Sequence, residues 1–288
     1  MSAGGAGRRA KDTGRRRILV TNDDGIYSEG IKLLAAALSE IADVVVVAPD
    51  REQSATSHSL TLHRPLRIRK LEESWWAVDG TPTDCVNLAV LHLCKDDKPV
   101  LIASGINFGS NLGDDVTYSG TVSATFEGTL LGIPSLAFSQ QVGEHFSFEG
   151  GAAFARRMVE EVFAAEEVPA DLLLNVNFPS GRFTGVEFTR LGRRVYQQTV
   201  VEKLDPRGRK YYWIAGTPEW KEESGTDFAA IDAGRVSITP LHLDLTDYRG
   251  LEGFGPLHQR LARLATAGAG PEAAVGGGGG RDVGDEAP

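Results

Sequence analysis

The chain has 288 residues, 41% of them hydrophobic and 24% charged, enough for a substantial core in one or two domains. No apolar stretch nears the ~18 residues of a membrane span, and the basic opening segment (Arg8, Arg9, Lys11, Arg15, Arg16, Arg17) is not followed by the apolar core of a signal peptide, so a cytoplasmic setting is expected. A formal net charge of −9 argues against a phosphate-backbone-binding surface and a stable nucleic-acid complex.

Residues 1–16 are basic and Gly-rich, and the tail from Ala267 reads AGAGPEAAVGGGGGRDVGDEAP. Neither buries enough apolar surface to offset its ordering entropy, so both are expected to be disordered. Between them the pattern alternates. Arg17 to Thr21 is a short apolar run that stops at Asn22-Asp23-Asp24-Gly25, as a buried strand entering a turn does. Ile31, Leu34, Ala35, Leu38 and Ile41 then follow a helical period, and Val44 to Ala48 gives a second apolar strand, completing a βαβ unit. Cys85 to Leu93 reads as a helix, and Cys85 and Cys94, the chain's two cysteines, read as reduced core residues. Pro99 to Ser104 reads as a strand, Ser123 to Leu131 as a helix and Ser135 to Ser139 as a strand. Gly151 to Phe163 and Leu172 to Phe178 repeat helix and strand.

These repeats predict an α/β fold, a doubly wound, mostly parallel Rossmann-like sheet with its core at 17–180 inside a domain spanning 17–266. Residues 183–248 carry short β-rich pieces, Gly185 to Thr189 and Lys210 to Ile214, and are expected to form a β-rich C-terminal arm that serves oligomerisation. The run Tyr211-Tyr212-Trp213 suits a subunit contact.

In open α/β sheets ligands collect beyond the carboxyl ends of the strands. The polar residues there are Asn22, Asp23 and Asp24; Asp50, Arg51 and Ser54; Ser104, Asn107 and Asn111; and Ser119, Gly120 and Thr121. Two adjacent carboxylates repel each other unless a cation or proton compensates them, and oxygen donors without a nearby His/Cys set suit magnesium, manganese or calcium. The plainer alternative is that Asp23 caps the following helix while Asp24 faces solvent. Ser119, Gly120 and Thr121 immediately precede a predicted helix, where free N–H groups and the dipole favour phosphate, although a capped loop without a ligand fits equally. The glycine spacing matches neither a Walker A loop nor a GxGxxG turn. His58, which shows no charge partner in the sequence, is read as a hydrogen-bonded loop residue or a contributor to the site. Asp84 is read as a helix cap, and Asp114 and Asp115 as solvated turn residues.

The segments ILVTNDDGIYSEGI at 18–31, VVAPDREQSATSHSLT at 46–61, GTPTDCVNLAV at 80–90, SGINFGSNLGDDVTYSGTVSATFEG at 104–128 and GTDFAAIDAGRVSITPLHLDLT at 225–246 resemble the SurE family of 5′- and 3′-nucleotidases. The resemblance implies a metal-dependent phosphomonoesterase acting on nucleoside monophosphates, with Asp23 and Asp24 as the catalytic carboxylates. It implies that Asp23, Asp24, Ser54 and Asn107 ligate one divalent cation, Mg2+ or Mn2+, with Ca2+ also able to occupy the site. It further implies that Asn111, Ser119, Gly120 and Thr121 surround the phosphate, and that the chain forms a homodimer or homotetramer with exchanged C-terminal arms. A nucleotide or metal sensor is the competing reading; a dinucleotide oxidoreductase is weakened by the missing glycine fingerprint.

Overall fold

The computed structural model describes residues 16–267 except 197, 198, 216, 217 and 222. Nearly all of the expected disordered ends, 1–15 and 268–288, lies outside the described residues. Strand β1 (Arg17–Thr21), helix α1 (Glu29–Ser39) and strand β2 (Asp43–Pro49) form the first unit. Strands β3 (Ile68–Glu72) and β4 (Trp75–Val78) follow, then helix α2 (Pro82–Leu88), which widens into a π turn over Ala89–Leu93. Next come β5 (Leu101–Phe108), α3 (Gly120–Leu130), β6 (Ser135–Gln140), α4 (Glu149–Ala164) and β7 (Leu173–Phe178). Strand β8 (Gly185–Phe188) precedes two short antiparallel pairs, β9 (Arg194–Tyr196) with β12 (Pro218–Trp220) and β10 (Thr199–Leu204) with β11 (Lys210–Ala215), and α5 (Asp227–Asp232) then leads into β13 (Arg235–Pro240).

Nine strands form one sheet in the order β3-β4-β2-β1-β5-β6-β7-β13-β8. From β4 through β7 the pairings are parallel, whereas β3 pairs antiparallel with β4 and β13 antiparallel with β7. Strand β1 shows why both faces are covered, because consecutive side chains on a strand point to opposite sides. Ile18 and Val20 pack with Ile31, Leu34 and Leu38 of α1 and with Ala155 and Val159 of α4. Leu19 packs on the other face with Cys85 and Val86 of α2 and Ala124 of α3. The central strands β1 and β2 are therefore apolar along most of their length, which accounts for runs such as VVVVA.

The sheet does not end near residue 180. Strands β8 and β13 extend it, and Val236 and Ile238 of β13 enter the same core as β1, which is why the segment reads as strand-like but is not a detached arm. The arm proper consists of the antiparallel pairs β9–β12 and β10–β11. A second compact unit begins at Asp244, inside the predicted 17–266 domain. It holds α6 (Tyr248–Gly253), capped by Asp247, and α7 (Gly255–Ala267), along which Leu257, Leu261 and Leu264 recur at helical spacing.

Candidate functional site

The strand order reverses at β1, whose neighbours β2 and β5 are reached by chain running in opposite directions, and the carboxyl ends of β1 and β5 open into a crevice there. The turn after β1 is built by Asn22, whose Nδ2 donates to Gly25 O (3.0 Å) and Ser28 Oγ (2.8 Å). Gly25 sits at φ +92°, a conformation that side-chain-bearing residues rarely adopt. Gln53 N donates to Asp23 O at 2.8 Å, tying the loop after β2 to this turn. Asp23 and Asp24 are thereby set on rigid backbone beside the loop that carries Ser54.

Asp23 is 5% exposed, and the Thr121 hydroxyl donates to its Oδ1. Helix α3 approaches this closely because residue 120 is glycine; a Cβ there would lie 2.7 Å from the Asp23 Cβ. Burial raises the Asp23 carboxyl to about 6, the Thr121 hydrogen bond opposes the shift, and the Asp24 charge adds to it. Asp24 is also raised by burial, offset by the Phe108 amide that donates to its Oδ2 (3.0 Å), with the Glu52 charge pushing upward. The pair therefore concentrates negative charge that the protein's own groups compensate poorly.

Asn107, near the end of β5, donates through Nδ2 to Gly109 O (2.8 Å), while its Oδ1 accepts no hydrogen bond among the described residues. Asn111 is held more firmly. Its amide donates to Asn177 Oδ1 (2.8 Å), its carbonyl accepts from Asn175 Nδ2 (2.8 Å) and Asn177 Nδ2 (3.0 Å), and its own Nδ2 donates to Ser139 Oγ (2.8 Å). Ser54 Oγ donates to Glu52 Oε1 at 2.6 Å. Ala55 and Ser57 follow in left-handed backbone, at φ 56° and 54°, a conformation that costs about 1 kcal/mol or more per residue. Ser57 is fastened there by its amide to Tyr118 O (3.2 Å) and its hydroxyl to Thr117 O (2.8 Å).

Asp23, Asp24, Ser54, Asn107, Asn111 and Ser119 thus line one cleft of about 270 Å³, to which no lysine or arginine contributes among the described residues. Gly120 and Thr121 pack against Asp23 and are not among the lining residues. The predicted helix boundary accounts for the difference: α3 begins at Gly120, with Ser119 as its N-cap, its Oγ accepting from Val122 N (3.1 Å). Thr121 is consequently a helical residue bonded to a carboxylate, and the Gly120 amide has no acceptor among the described residues. Asp115 lines the cleft in an ion pair with Arg194 instead of standing solvated in a turn, and Asp114 accepts from Arg194 N (3.2 Å). His58 does have a charge partner: its Nε2 is 2.8 Å from Glu127 Oε2, and Asn87 Nδ2 donates to the other oxygen of that carboxylate (2.8 Å). Asp84 completes the capping box with Thr81 and also accepts from Thr61 N (2.9 Å).

Several participants escaped the sequence reading. Glu52, Phe108, Ser110 and Tyr118 line the cleft. Asp227, in α5, accepts from the amides of Gly113 (2.7 Å), Gly192 (2.8 Å) and Phe228 (2.9 Å), fixing the loop after Asn111 to the base of the arm. Asn175 and Asn177 had a readable signal, since two amides at alternate positions of the run LLNVNF occupy one face of a fully buried strand. Among the described residues no group of three or more His, Cys, Asp or Glu side chains could hold a metal, so a cation here would depend on the Ser and Asn oxygens as well.

Sheet and cleft together define a doubly wound α/β protein with an acidic, oxygen-lined cleft at its switch point, beside a helix N-terminus. Over residues 18–198 the chain matches the family described as Survival protein SurE, and it belongs to that family. It is 54% identical over 236 residues to a protein of Myxococcus xanthus named 5'-nucleotidase SurE, covering 81% of this chain and 90% of that protein. A protein of the same name from Syntrophotalea carbinolica is 52% identical over 237 residues, covering 82% of this chain and 94% of the relative. The crystal structure of the SurE protein from Aquifex aeolicus superposes with a TM-score of 0.75 at 46% identity, over 84% of this chain and 99% of the other.

Proposed function

We propose that the protein is a nucleotidase that hydrolyses nucleoside 5′- and 3′-monophosphates to nucleoside and phosphate, with one divalent cation held by Asp23, Asp24, Ser54 and Asn107. The observation that carries this reading is the pair of adjacent carboxylates, Asp23 buried and Asp24 half-buried and both raised by burial, in a cleft that no lysine or arginine lines among the described residues. The donors fit a hard cation: all are oxygens, and the Asn107 Oδ1 is open. Mg2+ or Mn2+ is the cation of this reading, and Ca2+ suits the same donors. When bound, it would supply positive charge to the phosphoryl oxygens and to the attacking oxygen.

The chain's own residues do the positioning. Asn111, fixed by Asn175, Asn177 and Ser139, and the Gly120 amide at the start of α3 face the phosphate in this assignment, with Ser119 shaping the rim. Thr121 orients Asp23 from behind. A water oxygen attacks phosphorus as the P–O ester bond breaks, and the departing nucleoside oxygen takes up a proton while inorganic phosphate forms. Water is preferred to Asp23 as nucleophile because that carboxylate is buried and already bonded to Thr121; labelled phosphate trapped on Asp23 would reverse this choice.

The same reading includes a homodimer or homotetramer joined through the arm, supported by the exposure of Tyr211, Tyr212 and Trp213. It also includes a cytoplasmic setting, supported by two buried, unpaired thiols. No helix among the described residues is long and apolar enough to cross a membrane. The test is a phosphate-release panel over 5′- and 3′-nucleoside monophosphates with EDTA and metal add-back. Release from these esters that stops with EDTA and returns with Mg2+ or Mn2+ is expected; saturable nucleotide binding without release would instead favour a sensor.

A further inference from the structure

Phe108 ends β5, next to the proposed ligand Asn107, and its side chain is 58% exposed. A large apolar ring left open beside two carboxylates sacrifices burial without evident gain to the fold. The ring is nonetheless held in place. It meets Phe146 edge-on (centroids 5.0 Å apart, planes at 63°), and Phe146 in turn meets Phe148 (4.8 Å, 79°). Phe148 is buried in the core against α4, so the exposed ring stands on an aromatic column rooted in the protein interior.

The position of the ring bears on the substrate. Phe108 lines the candidate cleft and also an adjoining groove of about 360 Å³ walled by Phe146, Phe148, Ser28 and Glu29. Cleft and groove share Asp24, Glu52 and Phe108, so a molecule whose phosphate occupies the cleft can extend into the groove only past this ring. The groove's charged residues, Asp24, Glu29 and Glu52, are all acidic, which disfavours a second anionic group and suits a neutral heteroaromatic one. A base of any sequence has a π face to stack.

We propose that the Phe108 ring, braced by Phe146, is the stacking platform for the substrate's nucleobase and the main source of preference for nucleotides over base-free phosphomonoesters. The proposal rests on the nucleotidase reading of the same cleft. Tyr118, also 58% exposed, lines the cleft but not the groove, and is the competing platform.

The experiment compares adenosine 5′-monophosphate with ribose 5-phosphate, which has the same ester and no base. If the wild type hydrolyses neither, the nucleotidase reading itself fails; every later result bears on Phe108. In Phe108→Ala the KM for the nucleotide is expected to rise about tenfold relative to that for ribose 5-phosphate. Phe108→Tyr is expected to restore the ratio. Adenosine, which carries no phosphate, should inhibit ribose 5-phosphate hydrolysis by the wild type and about tenfold more weakly in the alanine variant. Equal changes for both substrates would overturn the proposal, because they would show that the residue acts only through Asp24. An unchanged ratio in a folded variant would also overturn it, as would a shift found only in Tyr118→Ala. So would a change in assembly size on light scattering without a change in the ratio, which would make the ring a subunit contact.

Discussion

The cleft at the ends of β1 and β5 and the β10–β11 hairpin of the arm are both rich in polar groups, yet they are built on opposite terms. In the cleft lining, Asp23, Asn111 and Ser119 are buried and held by fixed partners: Asn111 alone makes four hydrogen bonds to three residues, and Asp227, outside the lining, fastens three amides, one of them in the loop after Asn111. In the hairpin, Glu202 pairs with Lys210 across the strands at 2.8 Å while Tyr211, Tyr212 and Trp213 stay exposed. Exposed pairs of that kind contribute little. Preorganisation is thus concentrated where charge must be controlled, and the arm presents surface instead.

The largest effect should come from the carboxylate pair. Asp23→Asn is expected to lower turnover about a thousandfold while leaving the melting temperature unchanged or raised, because one of two buried like charges is neutralised and the Thr121 hydroxyl keeps an acceptor. Wild-type turnover in the folded variant would break the comparison at its strongest point.

Asp227→Ala comes next. It strands the Gly113 and Gly192 amides, and a loss of about 3 kcal/mol is expected in urea unfolding, with a raised KM because the loop after Asn111 loosens. A neutral result would mean that the loop is held by other contacts.

A smaller effect is expected at Glu127, whose carboxyl the His58 hydrogen bond, followed by that of Asn87, holds below its ordinary value. A lowered carboxyl stabilises the fold above its unfolded pKa and loses that contribution as pH falls through the folded value. Glu127→Gln should therefore cost about 1 kcal/mol near neutrality, with the gap to wild type narrowing on acidification below about pH 5. A gap that widens on acidification would contradict the pairing.

The effect on the cleft should be least for the hairpin. A deletion of 205–224 would also remove Trp220, which stacks on Phe228 (4.9 Å) and abuts Gly113, so the arm and the cleft are not separable at that boundary. Removing residues 200–214 alone should leave the KM within about twofold, as expected for a change that touches no cleft residue, while light scattering shows smaller assemblies. An unchanged assembly would place subunit pairing on another surface.

The sequence was most informative where one residue faces one environment. Strands such as VVVVA announce a sheet buried on both faces, and the polar residues that end them mark the crevice. It was less informative where a residue's partner is distant. Thr121 reads as part of the phosphate loop, but that its hydroxyl donates to Asp23, 98 positions away, is not legible in the sequence. Strand β13 reads as part of an arm because its pairing with β7 is antiparallel and non-local. Phe108 does not stand out in the sequence, because the strand reads as ending at Ser104, whereas β5 runs on to Phe108 and presents its ring at the cleft. Helices α6 and α7 were missed although Leu257, Leu261 and Leu264 keep a helical period, since the charged and Gly-rich surroundings mask it.

The central claim, that the cleft works through a cation held by Asp23 and its neighbours, is tested most directly by titrating Mn2+ into EDTA-stripped protein while following phosphate release from adenosine 5′-monophosphate. One cation bound per chain is expected, with release rising from background in proportion to occupancy, and with neither binding nor release in Asp23→Asn. Undiminished release from the stripped protein, or full Mn2+ binding by the variant, would contradict it.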